Sequence, residues 1–529
     1  MVLEILTSLG FSWLRLAVAL LLSIATALLV GISAGVNGKV ERGVIPLLDV
    51  LQSVPILGFF PIAIYFLTTS IPFIGAELAA VFLIFTCTFW NIAFGVYESV
   101  RSIPSSVREI VDLTKLSWTS RLTRVYIPAS IPKIADQLPA SIANAFYFLT
   151  ASEIIVLGKE AYALKGIGVL ILRSIESGDM FSVAASLAAV VLSISAAYFF
   201  VINPFISYAD KYRFDIVQEH PRPLRMASPR LIQPIHKQFL RPLTRFSANA
   251  QRILPTALIS MRHVSWGVIR SIMMVFLISV LFLLVAQFYA ELPDIYATLR
   301  GVLAAAVSIG AIPTLEAVGF SMLRVAICVS ANLAASLILA YLLAEKWGNL
   351  REYILPLLQI VASLPAPLIF PLVAPLFEVS ALTREVGAIL LMSLGTFWYI
   401  FYSTLGGFGR VHREYQELAE MYRLSGFAKF RYIYLPFATP SIVTGLVTAT
   451  GGAWNTIIVA ERLGSEGAIF SVDSPGLGKL MSALAEAGEL HALTYTVIVM
   501  TAVIVAINRL FWRRLYDYAV KALRIHEQQ

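Results

Sequence analysis

Residues 109–128 read EIVDLTKLSWTSRLTRVYIP, and residues 417–436 read ELAEMYRLSGFAKFRYIYLP. Each stretch is polar, basic and compatible with helix, opens on Glu, closes on Pro, and lies between strongly apolar segments. One polar element, repeated at equivalent places in two apolar halves, reads as a docking surface for a partner outside the bilayer. The chain is thus expected to hold two copies of one membrane unit.

Composition agrees with a membrane solvent. Of 529 residues, 58% are hydrophobic and 14% charged, against about 25% charged in soluble proteins. Runs of about 20 apolar residues, each enough to cross a bilayer as a helix, are placed at 11–34, 44–68, 78–98, 136–158, 182–206, 268–290, 317–345, 353–377, 385–408, 438–460 and 491–512. The expected fold is all-α and polytopic, with about eleven transmembrane helices. The start MVLEILTSLGF has no basic region ahead of its apolar run, so no cleavable secretory signal is expected. Cys87 and Cys328 both fall in expected spans and form neither a metal spacing nor a disulfide framework.

A formal charge of +8 raises nucleic acid as a partner, but Lys and Arg collected in cytoplasmic loops explain it better. Residues 207–263 carry ten Lys and Arg, among them Lys211, Arg225, Lys237 and Arg252, and are rich in Pro. Both repeated polar segments, the loops at Lys39 and Lys346, and the tail with Arg513 and Lys521 fall on the same side by span counting. The N-terminus is expected outside and the C-terminus inside.

The duplication continues beyond the polar segments. LGFSWLRLAVA from Leu9 recurs as VGFSMLRVAIC from Val318; Pro46, Pro55 and Pro61 recur as Pro356, Pro365 and Pro371; Thr88-Phe89-Trp90 as Thr396-Phe397-Trp398; Gly166-Ile167-Gly168 as Gly476-Leu477-Gly478. The separation stays near about 310 residues through helices and loops alike, a register that chance likeness between apolar helices does not keep. The repeat is parallel, since six spans separate equivalent points. The division is expected at 1–210 for the first unit with about five spans, 211–265 for a basic cytoplasmic linker, and 266–529 for the second unit with about six. The first unit has no counterpart of span 268–290, so its opening helix is expected either to be absent or to precede the first residue.

Several residues are candidates for a route between the halves. Pro55 and Pro365 each disturb a helix, and freed carbonyls are tolerated where they face protein or a watery cavity; lining a pathway and kinking for packing are equally good readings. Arg15 and Arg324 are charges near the outer ends of their helices. They either attract an anion at the outer mouth or snorkel to headgroups, and nearness to the interface favours snorkelling. Glu153 and Glu461 are read as pathway residues or as interface acids. Trp454 and Asn455 interrupt an apolar helix, where an Asn amide needs a partner, so they line a pathway or join helices.

The polar segments carry the functional reading. Ile110, Leu113 and Leu116 can share a face in the first, and Leu418, Met421 and Tyr422 in the second, with Lys115, Arg121, Arg124, Arg423, Lys429 and Arg431 on the remainder. An amphipathic helix resting on anionic lipid is the alternative; duplication at the same place favours a protein partner.

These segments resemble the EAA loop of ABC-transporter inner-membrane permeases: Glu-Ala-Ala, a later Gly, then Ile, one residue, and Leu-Pro. The second copy matches through Glu417, Ala419, Ile433, Leu435 and Pro436, the first through Glu109, Val125, Ile127 and Pro128. Both depart at the glycine, where Lys115 and Arg423 stand. With Ser12–Arg15 and Ser321–Arg324, AWNTIIVAE at 453–461 and Gly476–Gly478, the wider chain is similar to the nitrate, sulfonate and taurine type permeases, and most similar to duplicated permeases assigned to anion uptake. The resemblance implies two parallel repeats of the type I ABC importer fold, with Glu109, Ile110, Leu113, Lys115, Ile127, Pro128, Glu417, Leu418, Ala419, Met421, Arg423, Leu435 and Pro436 at the ATPase coupling surface. It implies two separate ATPase subunits, an extracytoplasmic solute-binding protein and surrounding membrane lipid as partners. No phosphate loop, HExxH or catalytic triad is visible, so neither enzymatic chemistry, a cofactor nor a metal is expected. An ion-coupled secondary transporter is the alternative.

Overall fold

The computed structural model describes residues 1–212 and 292–515, apart from positions 53, 72, 115, 155, 158–159, 162–163, 348–350, 363–364, 410, 412, 464–469 and 513. The expected span 268–290, most of the linker, and Lys115 lie outside the described residues.

The first unit runs α1 (Val2–Val36), α2 (Gly38–Leu51), α3 (Ile56–Ser70), α4 (Gly75–Arg101), α5 (Ser105–Leu113), α6 (Trp118–Arg121), α7 (Ile127–Ile154), α8 (Ile167–Glu176), α9 (Met180–Ala197) and α10 (Asn203–Ala209). The second runs α11 (Leu292–Ile309), α12 (Ala311–Tyr341), α13 (Arg351–Ala362), α14 (Ala366–Val373), α15 (Ala381–Phe408), α16 (Arg413–Met421), α17 (Gly426–Lys429), α18 (Leu435–Glu461), α19 (Leu477–Ala487) and α20 (Leu490–Ile507). Seven helices among the described residues are long and apolar enough to cross a membrane. Two tiny hairpins, Val156–Leu157 with Glu160–Ala161 and Arg462–Leu463 with Phe470–Ser471, follow α7 and α18.

The repeat is explicit in the packing. α1 lies along α4 and α4 along α7; α12 lies along α15 and α15 along α18. Close approach is set by missing side chains, as small residues allow in a membrane. A Cβ on Gly31 would lie 2.8 Å from Ala93 O, and one on Gly407 2.8 Å from the Ala438 side chain.

Two expected spans are corrected. The segments 44–68 and 353–377 are not bent helices but broken ones: α2 stops before Pro55 and α3 starts after it, and α13 stops before Pro365 and α14 starts after it. Both prolines sit extended at the helix start, at ψ 109° and 111°. The ring fixes φ and its own missing N–H needs no partner there. The broken helices then cross between units. α3 packs against α18, α19 and α20 of the second unit, and α14 against α7 and α8 of the first. One apolar core runs through both units. α11 is a further helix outside the expected spans and is not one of the seven long apolar helices; Asp294 and Arg300 interrupt its hydropathy, and it packs on α20.

Candidate functional site

Each repeated polar segment folds the same way. A nine-residue helix, α5 or α16, is followed by a turn, a four-residue helix, α6 or α17, and a five-residue π turn, Leu122–Tyr126 or Phe430–Tyr434. The π turn runs without a break into α7 or α18. Ile127 and Pro128 open the first of these long helices, Leu435 and Pro436 the second. The four-residue helix, the π turn and the long helix thus form one continuous rod of roughly 50 Å at 1.5 Å per residue, joined to the nine-residue helix by the turn.

The short helices are only partly packed: Asp112 pairs with Arg121 at 2.8 Å in the first, and the Tyr415 ring meets Phe437 in the second. Val111 and Ala419, at equivalent positions, are buried, whereas Ile110, Leu113, Leu418 and Met421 are exposed. Glu109 and Glu417 lie on the exposed side of these helices. α16 ends in a Schellman turn, with Leu424 N–H donating to Ala419 O at 2.8 Å and Arg423 N–H to Glu420 O at 3.0 Å. That turn needs a left-handed residue, and Arg423 supplies it at φ 52°. The position where the EAA pattern has glycine is thus a backbone position that favours glycine.

At the opposite end of α7 and α18, the expected Arg and Glu residues meet in two matching clusters. Arg15 donates from Nε to Glu77 at 2.6 Å, from Nη2 to Glu77 at 2.7 Å, and from Nη1 to Glu153 at 2.9 Å. Ser12 Oγ donates to Glu153 at 2.6 Å and accepts from Ile167 N–H at 3.1 Å. About 310 residues later, Arg324 donates to Glu385 at 2.6 and 2.8 Å and to Glu461 at 2.6 Å. Ser321 donates to Glu461 at 2.7 Å and accepts from Leu477 N–H at 2.9 Å. Arg15 and Arg324 do not snorkel: they are 4% and 2% exposed, and Glu153 and Glu461 are fully buried. A Cβ on Gly166 or Gly476 would collide with the Glu153 or Glu461 carboxylate, so the first glycine of each repeated Gly pair leaves the space that these carboxylates fill. Each cluster ties four helices into one body: α1, α4, α7 and α8 in the first unit, and α12, α15, α18 and α19 in the second. Glu77 and Glu385 were missed by sequence reasoning, although their equal spacing in the repeat is a signal.

The remaining candidates surround a cavity of about 210 Å³ between the units. Equivalent positions from both copies line it: Asn91 with Tyr399, and Asn144 with Gly452. Trp454 is 1% exposed and also lines it. Asn455 lines it too, but its amide is committed: Oδ1 accepts from Ile56 N–H at 2.7 Å and Nδ2 donates to Gly451 O at 3.1 Å. It thereby caps the broken α3 across the unit boundary. Pro55 and Pro365 are both buried, and the residue after Pro55, Ile56, is the one that reaches the cavity. Among the described residues, no group of three His, Cys, Asp or Glu could hold a metal.

Comparison with known proteins bears on this arrangement directly. The family model described as "Binding-protein-dependent transport system inner membrane component" matches residues 20–204 and again residues 332–525. The chain is 28% identical over 141 residues to the nitrate import permease protein NrtB of Synechococcus elongatus, covering 27% of this chain and 48% of that one. It is 33% identical over 125 residues to the putative aliphatic sulfonates transport permease protein SsuC of Escherichia coli, covering 24% and 45%. It is 28% identical over 149 residues to the bicarbonate transport system permease protein CmpB of Synechococcus elongatus, covering 28% and 48%. The chain spans about half the length of these curated relatives. Two matches of one family unit, two matching polar segments and two matching charge clusters lead to one conclusion: the chain belongs to the binding-protein-dependent transport system inner membrane component family and carries its unit twice.

Proposed function

We propose that this chain is the membrane permease of an ATP-driven ABC importer, supplying both transmembrane halves and moving a small anion across the cytoplasmic membrane by alternating access. The observation that carries the reading is the pair of identically built polar segments, each continuous through a π turn with a long helix. Two separate ATPase subunits would seat on Glu109–Leu113 and Glu417–Met421 from the cytoplasmic side, and their closure would move both rods together. A solute-binding protein would deliver substrate to the opposite face, and lipid would surround the apolar flanks. Lys115, Ile127 and Pro128, and Arg423, Leu435 and Pro436, would complete the two coupling surfaces. The units would divide at 1–210, 211–265 and 266–529, with linker and C-terminus cytoplasmic.

Anion transport is supported by relatives named for nitrate, sulfonate and bicarbonate. The cavity at Trp454 and Asn455 is the proposed transit point. Arg15, Glu153, Arg324 and Glu461 would hold the route's walls rather than meet the solute, because their charges are directed at one another. An ion-coupled mechanism is less well supported, since the described cavity lining contains no acid, histidine, Lys or Arg.

The test is reconstitution with the ATPases encoded beside the gene, reading ATP turnover and uptake of labelled nitrate, bicarbonate and methanesulfonate into proteoliposomes. ATP-dependent uptake that falls with Glu417→Ala is expected. Uptake that persists without ATPase would overturn the proposal.

A further inference from the structure

The two polar segments are built alike but fastened differently. In the second, Lys429 Nζ donates to Glu345 at 2.6 Å, and the Tyr434 hydroxyl donates to the other oxygen of that carboxylate at 2.8 Å. Glu345 lies in the π turn Leu342–Lys346 that continues α12. The pair has limited access to water, with the Lys429 and Glu345 side chains 11% and 29% exposed. One turn earlier, the Tyr341 hydroxyl donates to Gly426 O at 2.8 Å, and its ring meets those of Phe430 and Tyr434 at 5.4 and 5.6 Å. Three polar links and a ring cluster thus hold α17 and its π turn to the end of α12. At the equivalent positions of the first unit, Val36 stands for Glu345 and Ile32 for Tyr341, and neither side chain can hydrogen-bond. Arg121, at the place of Lys429, turns instead to its own segment, donating to Asp112 at 2.8 Å and to Leu116 O at 3.1 Å. The first segment is fastened to another helix: Arg108 Nη2 donates to Val100 O at 3.1 Å and to Arg101 O at 2.5 Å, at the end of α4. Gln416 stands at that position in the second segment.

Resting on the permease reading above, we infer that Glu345 is a positioning residue of the second ATPase seat: it makes α12 move with α17 and α18 when that seat is displaced. The first seat draws on α4 through Arg108 and, among the described residues, makes no polar link to α1 at these positions. A carboxylate has acceptor sites on both oxygens, so Glu345 takes an ammonium and a phenol at once, and both donors lie on the stretch that continues as α18. Partial burial strengthens the pair relative to a fully hydrated one. The charge matters as well as the shape, since Gln keeps one acceptor oxygen and cannot neutralise Lys429. The outer ends of α12 and α18 are already joined by Arg324 and Glu461, so the Glu345 tether makes these two helices a pair held at both ends. α1 and α7 are joined at the outer end by Arg15 and Glu153 and carry no such tether at the other. The two ATPase strokes therefore reach the membrane through different helices, α12 with α18 in the second unit and α4 with α7 in the first.

The experiment uses the full chain in lipid nanodiscs with the ATPases encoded beside the gene. It reads amide hydrogen exchange, which reports local opening, before and after addition of ATP with vanadate. In the wild type, exchange is expected to change together at residues 342–347 and 430–440, with a smaller change at 32–37. Glu345→Gln should retain the ATPases and the response at 430–440 but cut the response at 342–347 by about fivefold, the upper end for an ion pair with access to water. Exchanging the charges, Glu345→Lys with Lys429→Glu, should restore that response, which a side chain that merely fills space would not allow. Tyr341→Phe removes the link to Gly426 and should weaken the same response; it serves as the test if Glu345→Gln does not fold. A response at 342–347 that is unchanged in the variant, or an equal response at 32–37 in the wild type, would overturn the inference. ATPases that never bind the wild-type chain would overturn the permease reading, whereas bound ATPases that protect 413–421 and leave 342–347 silent would overturn this inference alone.

Discussion

Replacing Arg324 by Met should open the second unit while leaving the first closed. Arg324 is 2% exposed and faces fully buried Glu461 on one side and Glu385 on the other. The substitution leaves two carboxylates facing each other, one of them without access to water. Stranding a partner of a buried pair costs about 3–5 kcal/mol. At roughly 1.4 kcal/mol per factor of ten, the open population rises from about a hundredfold to several thousandfold. Cys328 lies four residues along the same helix and is buried, and Cys87 is buried in the first unit. Maleimide labelling of the two thiols therefore reports each unit separately. Cys328 should label at least about a hundredfold faster in Arg324→Met, a change worth about 3 kcal/mol, with Cys87 affected far less. Arg324→Met combined with Glu461→Gln removes the stranded charge and should cost less than the two single changes together, by about 1–3 kcal/mol. Arg15→Met should cost less than Arg324→Met, because its partner Glu77 is 46% exposed and Glu385 only 26%. A change in Cys328 labelling below threefold, or strict additivity in the double variant, would refute the view that these clusters hold the units together.

Three further outcomes follow from the same geometry. Arg423→Gly should stabilise the chain: it relieves about 1–2 kcal/mol of left-handed strain and gives back roughly 0.4–1 kcal/mol of unfolded-state entropy, while Arg423→Ala should bring no gain in the same melting measurement. Gly478→Ala should lower the melting midpoint more than Gly168→Ala. Its Cβ would lie 2.6 Å from Ile457 O, which is backbone, whereas Gly168 meets the Glu153 carboxylate at 2.9 Å; overpacking of this kind costs about 1–3 kcal/mol. Asn455→Leu leaves Ile56 N–H without its acceptor, at about 1–3 kcal/mol, and hydrogen exchange at the start of α3 should rise accordingly.

The duplication and the polar segments were legible in the sequence because they persist through loops, where apolar composition gives no help. The broken helices were not. Hydropathy runs unbroken past Pro55 and Pro365, and only the extended backbone at those residues separates a break from a kink. Arg15, Glu153, Arg324 and Glu461 stood out singly as intramembrane charges, yet their pairing could not be read. Glu77 and Glu385 sit near the starts of their helices, where a charge is ordinary. Of the cavity tryptophans, Trp454 stood out beside Asn455, whereas Trp90 and Trp512 read like any aromatic residue in an apolar helix.

The central claim is that one chain supplies both halves and offers two seats. Native mass spectrometry of the complex purified with its ATPases tests it most directly. The account predicts a single 58.1 kDa permease chain with two ATPase subunits. Two permease chains in the complex, or a permease that retains no ATPase, would contradict it.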